Sequence, residues 1–147
     1  MKLSRIFTAL MAAVGTQLPS CEYGAEYAVF KNYGVVCDEN GKGIRDARVD
    51  IDEVDYEPVD SVRYERTREH YATEYTDRYG EFESEKEIYG AKSMTCRIIT
   101  TKQGYEPDTN YFRVSASEFI GGNGDRDEGT ATKKHIIILK KEIDKDE

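Results

Sequence analysis

The chain of 147 residues has no tryptophan, only two histidines and only three cysteines. The histidines, His70 and His135, are far apart in sequence, and neither has a cysteine at close spacing. The motifs of serine hydrolases, zinc peptidases and phosphate-binding loops are also missing. Carboxylates are plentiful, with 29 Asp and Glu residues, so pairs of them do not by themselves indicate acid–base catalysis. We therefore expect a protein that is not an enzyme and that uses no cofactor.

The chain also lacks the run of about 20 apolar residues that a transmembrane helix needs. Its N-terminal apolar run covers residues 6–14, contains Thr8 as its one polar residue, and follows the cations Lys2 and Arg5. A short positive region followed by such a run is typical of a secretory signal peptide. The usual Ala-x-Ala cleavage site does not follow it.

Residues 18–21 instead read Leu-Pro-Ser-Cys and resemble the lipobox of bacterial lipoproteins, with Pro19 where a small residue is usual. The resemblance implies that residues 1–20 are a lipoprotein signal peptide and that Cys21 carries a diacylglyceryl thioether and an acylated N-terminus. Each buried CH₂ contributes about 0.8 kcal/mol, and two or more chains attach a protein firmly to a bilayer. We expect a lipid-anchored cell-envelope protein, on the outer membrane, facing the periplasm or the surface. The alternatives are a plain secreted protein and an N-terminal helix packed into the fold.

The charge balance narrows the range of partners. Loss of Lys2 and Arg5 with the signal peptide changes the formal charge from −8 to −10. Such a chain repels phosphate backbones and anionic lipid, so we expect no nucleic-acid partner, and membrane contact through the N-terminal lipid alone. A cell-envelope protein or a glycan is the expected binding partner.

Two cysteines remain once Cys21 is assigned to the lipid. Outside the cytosol Cys37 and Cys96 can form a disulfide. They can equally be separate thiols on different strands, and the sequence leaves both possibilities open.

The body of the chain reads as short strands separated by turn residues. We predict one domain over residues 27–140, after a tether at 21–26 and before a charged tail at 141–147 that should fray. His135 is expected to face solvent near the end of the last strand, whose apolar run should close the core. The predicted strands are residues 27–37, 48–54, 71–76, 81–87, 95–101, 111–114 and 134–140.

Two connections share the pattern Asp-x-x-Gly, at residues 38–41 and 77–80. An Asp at the first turn position accepts hydrogen bonds from the backbone ahead of it, and Gly at the fourth adopts positive φ without a Cβ clash. We interpret Asp38 and Asp77 as turn residues and not as catalytic or metal-binding acids.

These turns belong to a longer resemblance. Residues 34–49 (GVVCDENGKGIRDARV), 75–82 (YTDRYGEF) and 103–105 (QGY) resemble the carboxypeptidase regulatory-like, transthyretin-like sandwich. The resemblance implies an all-β, seven-stranded antiparallel sandwich of transthyretin-like or immunoglobulin-like type. Gly43 stands where that family usually has proline, which predicts a looser turn.

A narrower resemblance covers nearly the whole chain. The lipobox, residues 21–30 (CEYGAEYAVF) and residues 119–133 (FIGGNGDRDEGTATK) resemble the radical SAM-associated putative lipoproteins of Bacteroides-type bacteria. Residues 101–108 depart from the Asp-x-Asp-Gly stretch of that family. The family has no established biochemical activity. Its name implies, as an alternative function, a substrate or structural partner of a radical SAM-associated processing system.

Two stretches are candidate sites. Five tyrosines cluster around a long insertion at residues 52–73, where they could stack on sugars or anchor a protein partner, or could simply cover the sheet. Residues 65–75 of this insertion could form a helix, because helix formers are common there. The tyrosines are Tyr56, Tyr64, Tyr71, Tyr75 and Tyr79.

The second stretch is the glycine-rich segment 121–129. Its oxygen donors suit Ca²⁺, although their spacing is not that of an EF-hand loop, and a solvated connection is the preferred interpretation. The donors are Asn123, Asp125, Asp127 and Glu128.

Overall fold

The computed structural model describes residues 25–59 and 62–144, with the backbone alone at 56–59 and 62–64. In this part the chain forms seven strands and one short 3₁₀ turn at Ala116–Glu118. The prediction of an all-β protein with seven strands is therefore confirmed. Within the described residues, no helix is long and apolar enough to cross a membrane. The strands are β1 Tyr27–Cys37, β2 Arg48–Val59, β3 Val62–Tyr75, β4 Glu81–Ile88, β5 Met94–Thr101, β6 Asp108–Val114 and β7 Asp127–Ile138.

The strands form two sheets that enclose one core. The three-stranded sheet has the order β4-β1-β7, and the four-stranded sheet has the order β3-β2-β5-β6. The four-stranded sheet is antiparallel, but β1 and β7 pair in parallel, with Tyr33 opposite Lys134. The prediction of a wholly antiparallel fold was therefore wrong. Both strands begin at the end of the molecule where the described chain starts, at residue 25, and we call this end the tether end.

The core comes from the period-2 alternation of the strands, which sends successive side chains to opposite faces. In β1 the even-numbered residues Ala28, Phe30 and Val36 point into the core and are fully buried. Ile51 of β2 and Ile98 of β5 are opposite each other on the inner face of the second sheet. The two inner faces contribute to a single cluster of buried residues, which makes the fold a two-layer β-sandwich.

The supposed insertion at residues 52–73 is a long antiparallel hairpin made by β2 and β3. β5 pairs with β2 only as far as Glu53, so beyond this residue β2 and β3 continue as a two-stranded ribbon at the tether end. The helix considered for residues 65–75 was therefore wrong. Charged residues such as those of β3 favour helices only weakly, and cross-strand pairing overrides that preference.

The two Asp-x-x-Gly turns lie together at the opposite end, which we call the turn end. Asp38 Oδ1 accepts hydrogen bonds from the N–H groups of Asn40 and Lys42, both at 2.9 Å. Asp77 Oδ1 does the same for Tyr79 and Glu81, at 2.8 and 2.9 Å. The prediction that both acids form turns is confirmed.

Gly43 does not loosen its turn, contrary to the expectation from the missing proline. A Cβ at this position would overlap with the Tyr79 carbonyl group of the second turn and lie 3.1 Å from Gly80 N. Gly43 also forms an isolated bridge with Cys37. Glycine here allows the two turns to pack backbone against backbone.

The charged tail is partly held by the fold. Lys141 forms an isolated bridge with Tyr105, and Glu142 N donates a 3.0 Å hydrogen bond to Gly104 O. The prediction that the chain frays from residue 141 was therefore wrong for these two residues. Ile143, the next residue, is 79% exposed.

Candidate functional site

The five predicted tyrosines do not form one surface. Tyr71 is 6% exposed and belongs to the core, so its inclusion in a binding surface was wrong. Tyr75 and Tyr79 are exposed, but they lie at the turn end, where Arg78 stacks over the Tyr79 ring at 4.8 Å. The side chains of Tyr56 and Tyr64 lie outside the described residues, as does Cys21.

The candidate calcium residues are engaged in local turns. Asn123 Oδ1 accepts the Asp125 and Asp127 N–H groups at 3.0 and 3.3 Å, and Asp127 Oδ1 accepts the Gly129 N–H at 2.9 Å. Glu128 accepts the Ala91 N–H. Across residues 25–59 and 62–144, no three His, Cys, Asp or Glu side chains come together to hold a metal ion.

The carboxyl groups of Glu26 and Glu128 lie close enough at the tether end to shift each other's pKa. The neighbouring Glu128 carboxyl group raises the pKa of Glu26 above its usual value. The Ala91 N–H and the Glu26 carboxyl group together lower the pKa of Glu128. Glu128 of β7 therefore contacts both the start of the described chain, through Glu26, and the loop after β4, through Ala91.

Cys37 and Cys96 are both free and buried. Cys37 ends β1 at the turn end of one sheet, whereas Cys96 is opposite Glu53 in the other sheet, towards the tether end. A disulfide needs Cα atoms within about 7 Å, which this arrangement does not offer. Burial raises the pKa of the Cys96 thiol to about 12.

A buried polar cluster surrounds Glu53, which is 4% exposed on the inner face of β2. Tyr71 donates a 2.6 Å hydrogen bond to Glu53 Oε2, and Lys92 Nζ donates another at 2.9 Å. Burial raises the pKa of Glu53, but these two hydrogen bonds and the charge of Lys92 together lower the pKa by more than burial raises it. The pKa of Glu53 therefore lies below its usual value. The Tyr71 ring also packs edge-on against Phe30 at 5.6 Å. The cluster joins the two sheets and explains why Tyr71 is not available to a ligand.

His135 faces the interior, so the expectation of a solvent-facing residue was wrong. Its ring is 4.7 Å from that of Phe112 and 6.2 Å from that of Phe82. Its Nε2 lies 2.9 Å from Oδ1 of the buried Asn32. Burial, together with the charge of Lys133, lowers the pKa of His135 to about 4. The imidazole is therefore neutral at pH 7.

The outer face of the four-stranded sheet carries a polar network centred on Asp52. Register places His70, Asp52, Arg97 and Tyr111 in one row across all four strands. His70 Nδ1 lies 2.6 Å from Asp52 Oδ1, and Arg97 donates a 2.9 Å hydrogen bond to Asp52 Oδ2. Glu65 accepts from Arg97 at 2.8 Å and from Tyr111 at 2.7 Å. These hydrogen bonds engage both oxygens of Asp52 and both oxygens of Glu65, so the carboxylates of the network are occupied within the sheet, although Arg97 Nε is buried without a hydrogen-bond partner.

The outer face of the three-stranded sheet differs, because it exposes large apolar side chains. Tyr33 is 42% exposed, Ile136 is 67% exposed and Ile138 is 52% exposed. Register places Val35 beside Ile136 and Tyr33 beside Lys134, so these side chains form one patch on β1 and β7. A groove of about 480 Å³ lies beside Ile136 and Ile138, and its lining includes Tyr33 and Val35 of β1 and Glu81 and Glu83 of β4. We call this surface the Tyr33 face.

The Tyr33 face is the candidate binding site that sequence reasoning missed. The apolar run of residues 134–140 predicted a strand that closes the core. In the structure only its odd-numbered apolar residues, Ile137 and Leu139, enter the core. The sequence did not show that β7 forms the edge of its sheet. Among the described residues no strand lies beside it on one side, and the side chains of Ile136 and Ile138 remain exposed.

Comparison with known proteins supports the fold. No protein-family model matches this chain, and no curated protein matches it in sequence. Chlorocatechol 1,2-dioxygenase from Pseudomonas putida is similar in structure, with 12% identity and a TM-score of 0.50 over 78% of this chain and 61% of that chain. Catechol 1,2-dioxygenase from Pseudomonas arvilla C-1 has 14% identity and a TM-score of 0.52, over 80% and 53%. The catechol 1,2-dioxygenase of Acinetobacter sp. ADP1 has 12% identity and a TM-score of 0.51, over 82% and 54%.

Identity this low indicates a shared fold and carries no information on activity. The chain also spans less than two thirds of each of these dioxygenases. The similarity therefore defines the class of protein, a two-layer β-sandwich, and leaves its function to the surfaces described above.

Proposed function

We propose that the protein is a lipid-anchored cell-envelope β-sandwich that acts as a non-catalytic binding or accessory module, and that the Tyr33 face is its binding surface. The observation that carries the proposal is the exposed patch of Tyr33, Ile136 and Ile138 on a well-formed sheet. Contiguous apolar groups on a soluble surface mark sites of interaction. The proposal includes the lipoprotein signal peptide at residues 1–20 and a sandwich of the transthyretin-like type.

The position of this face relative to the proposed anchor supports the proposal. A tether over residues 21–26 reaches at most about 20 Å, at roughly 3.3–3.6 Å per residue. Tyr33 lies six residues into β1, which adds about another 20 Å. The face would then lie within about 40 Å of the bilayer, where other envelope proteins present their own surfaces.

The local turns at Asp38 and Asp77 support the sandwich type, since they occupy the positions that the resemblance gives them.

The two histidines are also separated by the fold. His70 lies on the outer face of β3 and His135 lies inside the sandwich, so the two cannot act on one substrate. This separation supports a binding role over a catalytic one.

In-cell photo-crosslinking tests the proposal. A benzophenone amino acid placed at Ile136 should give a defined crosslinked product in the membrane fraction. The same amino acid at Ile143, which is 79% exposed but lies outside the Tyr33 face, is the matched control. A product at Ile136 that is absent at Ile143 and lost on Cys21→Ser supports an anchored binding module. Equal products at both positions, or none at Ile136, would contradict it.

A further inference from the structure

We propose that the Tyr33 face binds a protein segment that presents lysine or arginine side chains beside apolar ones. This inference rests on the proposed function, because it specifies the partner of the same surface. The geometry that leads to it is a row of glutamates parallel to the apolar patch.

The row comes from the period-2 alternation of β4, which is an edge strand. Every second residue faces outward and is exposed on the Tyr33 face, while Phe82, Ser84 and Ile88 face inward and are buried. The four outward side chains are Glu81, Glu83, Glu85 and Glu87.

The row of four glutamates destabilises the protein when no partner is bound to it. Residues two apart on a strand are about 6.6–7 Å apart, which is within the Debye length at physiological salt, so the four carboxylates repel one another. Among the described residues, one ion pair involves the row, between Lys31 Nζ and Glu85 Oε2 at 3.6 Å. A cationic partner would relieve this repulsion.

The acidic row and the apolar patch are in register. Glu81 is opposite Val35, whose other neighbour is Ile136, and Glu83 is opposite Tyr33, whose other neighbour is Lys134. Three of the four cross-strand steps, those from Glu81, Glu83 and Glu87, lead to an apolar or aromatic side chain on β1, and the fourth leads from Glu85 to Lys31. A ligand that fits this face needs positive groups along one side and apolar groups along the other.

A protein segment fits this pattern better than a sugar or a lipid headgroup. Ile136 and Ile138 are branched aliphatic side chains and offer no hydrogen bonds to sugar hydroxyl groups. Hydroxyl groups packed against them would lose their water without gaining a hydrogen bond, which costs free energy. The carboxylates repel phosphate groups and anionic lipid. Apolar side chains flanked by cations satisfy both halves of the face, with an apolar centre and a charged rim as in protein interfaces. The row from Glu81 to Glu87 spans about 20 Å, the length of some seven extended residues or a 13-residue helix.

Peptide display on the purified full-length protein tests the inference. The probe is a library of random 12-residue peptides, selected on three forms of the protein. These are the wild type, the face variant E81Q/E83Q/E87Q, and the control variant E39Q/E106Q/E142Q, which changes the net charge equally at exposed positions away from the face.

We expect peptides selected on the wild type and on the control variant to be enriched in Lys or Arg together with Ile, Leu, Val or aromatic residues. The face variant should lose the enrichment in Lys and Arg. In fluorescence anisotropy, resynthesised peptides should bind the face variant at least about threefold more weakly, since exposed ion pairs contribute roughly 0.2–1 kcal/mol each. Raising the salt concentration should weaken binding to the wild type and control more than to the face variant.

A second pair of variants tests the apolar half. Ile136→Thr should weaken the binding of the same peptides, whereas Ile143→Thr should leave their binding unchanged. Peptides without basic enrichment, equal binding to the face and control variants, or no selectable peptide would overturn the inference. Binding of the protein to a glycan array that Ile136→Thr abolishes would also overturn it but leave the proposed binding function intact. Failure of the Ile136 crosslink, in contrast, removes the proposed function itself.

Discussion

Two glycines with the same backbone conformation and different surroundings give a direct test of how the turns pack. Gly41 has φ of 81° and Gly80 has φ of 80°, and each is the last residue of an Asp-x-x-Gly turn. A Cβ at Gly41 would meet no atom within 4 Å. A Cβ at Gly80 would overlap with the Val36 carbonyl oxygen and lie 2.9 Å from both Gly43 Cα and Ile44 N.

Both alanine variants incur the same backbone cost. Positive φ costs a residue with a Cβ about 1–2 kcal/mol, so Gly41→Ala should lower the free energy of unfolding by about that amount. Gly80→Ala adds the cost of overpacking, about 1–3 kcal/mol, because the neighbouring atoms belong to the backbone and cannot rotate away. The variant also disturbs the 2.7 Å hydrogen bond from Val36 N to Gly80 O. Its total loss should be about 2–5 kcal/mol.

Urea unfolding followed by circular dichroism measures both values. With a slope of about 1–3 kcal/mol per molar urea, the midpoint of Gly80→Ala should lie well below that of Gly41→Ala, by about 1 M. Equal midpoints for the two variants would refute the argument, since they would show that the two turns do not pack as described.

Three further predictions concern the interior. Tyr71→Phe should lower the free energy of unfolding at pH 7 by about 1.5–3 kcal/mol, because Glu53 loses a hydrogen bond to its charge, whereas the exposed Tyr75→Phe should change it by less than about 0.5 kcal/mol; equal losses would contradict the Glu53 cluster. His135 has a folded-state pKa of about 4 against an ordinary 6.5, so the unfolded chain takes up a proton first and stability is lost as pH falls from 6.5 to 4. In urea melts at pH 7 and pH 4.5, His135→Gln should therefore lose less stability on acidification than the wild type, and an identical loss would show that His135 is not buried as a neutral ring. Cys37 and Cys96 should both react with a thiol reagent in 6 M guanidinium without prior reduction, while Cys96 should stay unreacted in the native protein; a protein that needs reductant before labelling would contain the disulfide that the structure excludes.

Local sequence patterns predicted a large part of the fold. The run of strand-forming residues at 27–37 predicted β1 with the bounds that the structure has, and the β-branched run at 95–101 predicted β5 within one residue. The Asp-x-x-Gly turns followed from side-chain chemistry alone, because Asp38 and Asp77 need only the backbone of the next four residues.

Features that depend on distant partners could not be predicted in this way. The parallel pairing of β1 with β7 joins the two ends of the domain, and no local pattern encodes it. β3 is rich in charge, and its register with β2 shifts twice, between Ile51 and Asp52 and between Glu53 and Val54. These irregularities interrupt the alternation, which is why Tyr71 could not be assigned to the core from its position in the sequence.

The candidate site depended on the same missing information. Tyrosines were chosen because they cluster in sequence, but the hairpin sends Tyr71 inward and carries Tyr75 to the turn end. The exposed patch instead combines Tyr33 with residues about 100 positions later in the chain. Its only local signal was the regular spacing of Glu81, Glu83, Glu85 and Glu87, which predicts an outward-facing acidic row on β4.

We propose above that a lipid on Cys21 attaches this sandwich to the cell envelope. Intact mass spectrometry of the protein extracted from the membrane fraction of its own cells tests the claim most directly. The account predicts the mass of residues 21–147 plus a diacylglyceryl group and an N-terminal acyl chain, and a further mass on another residue would instead favour a substrate of a processing system. An unmodified mass, or one that retains residues 1–20, would contradict the account.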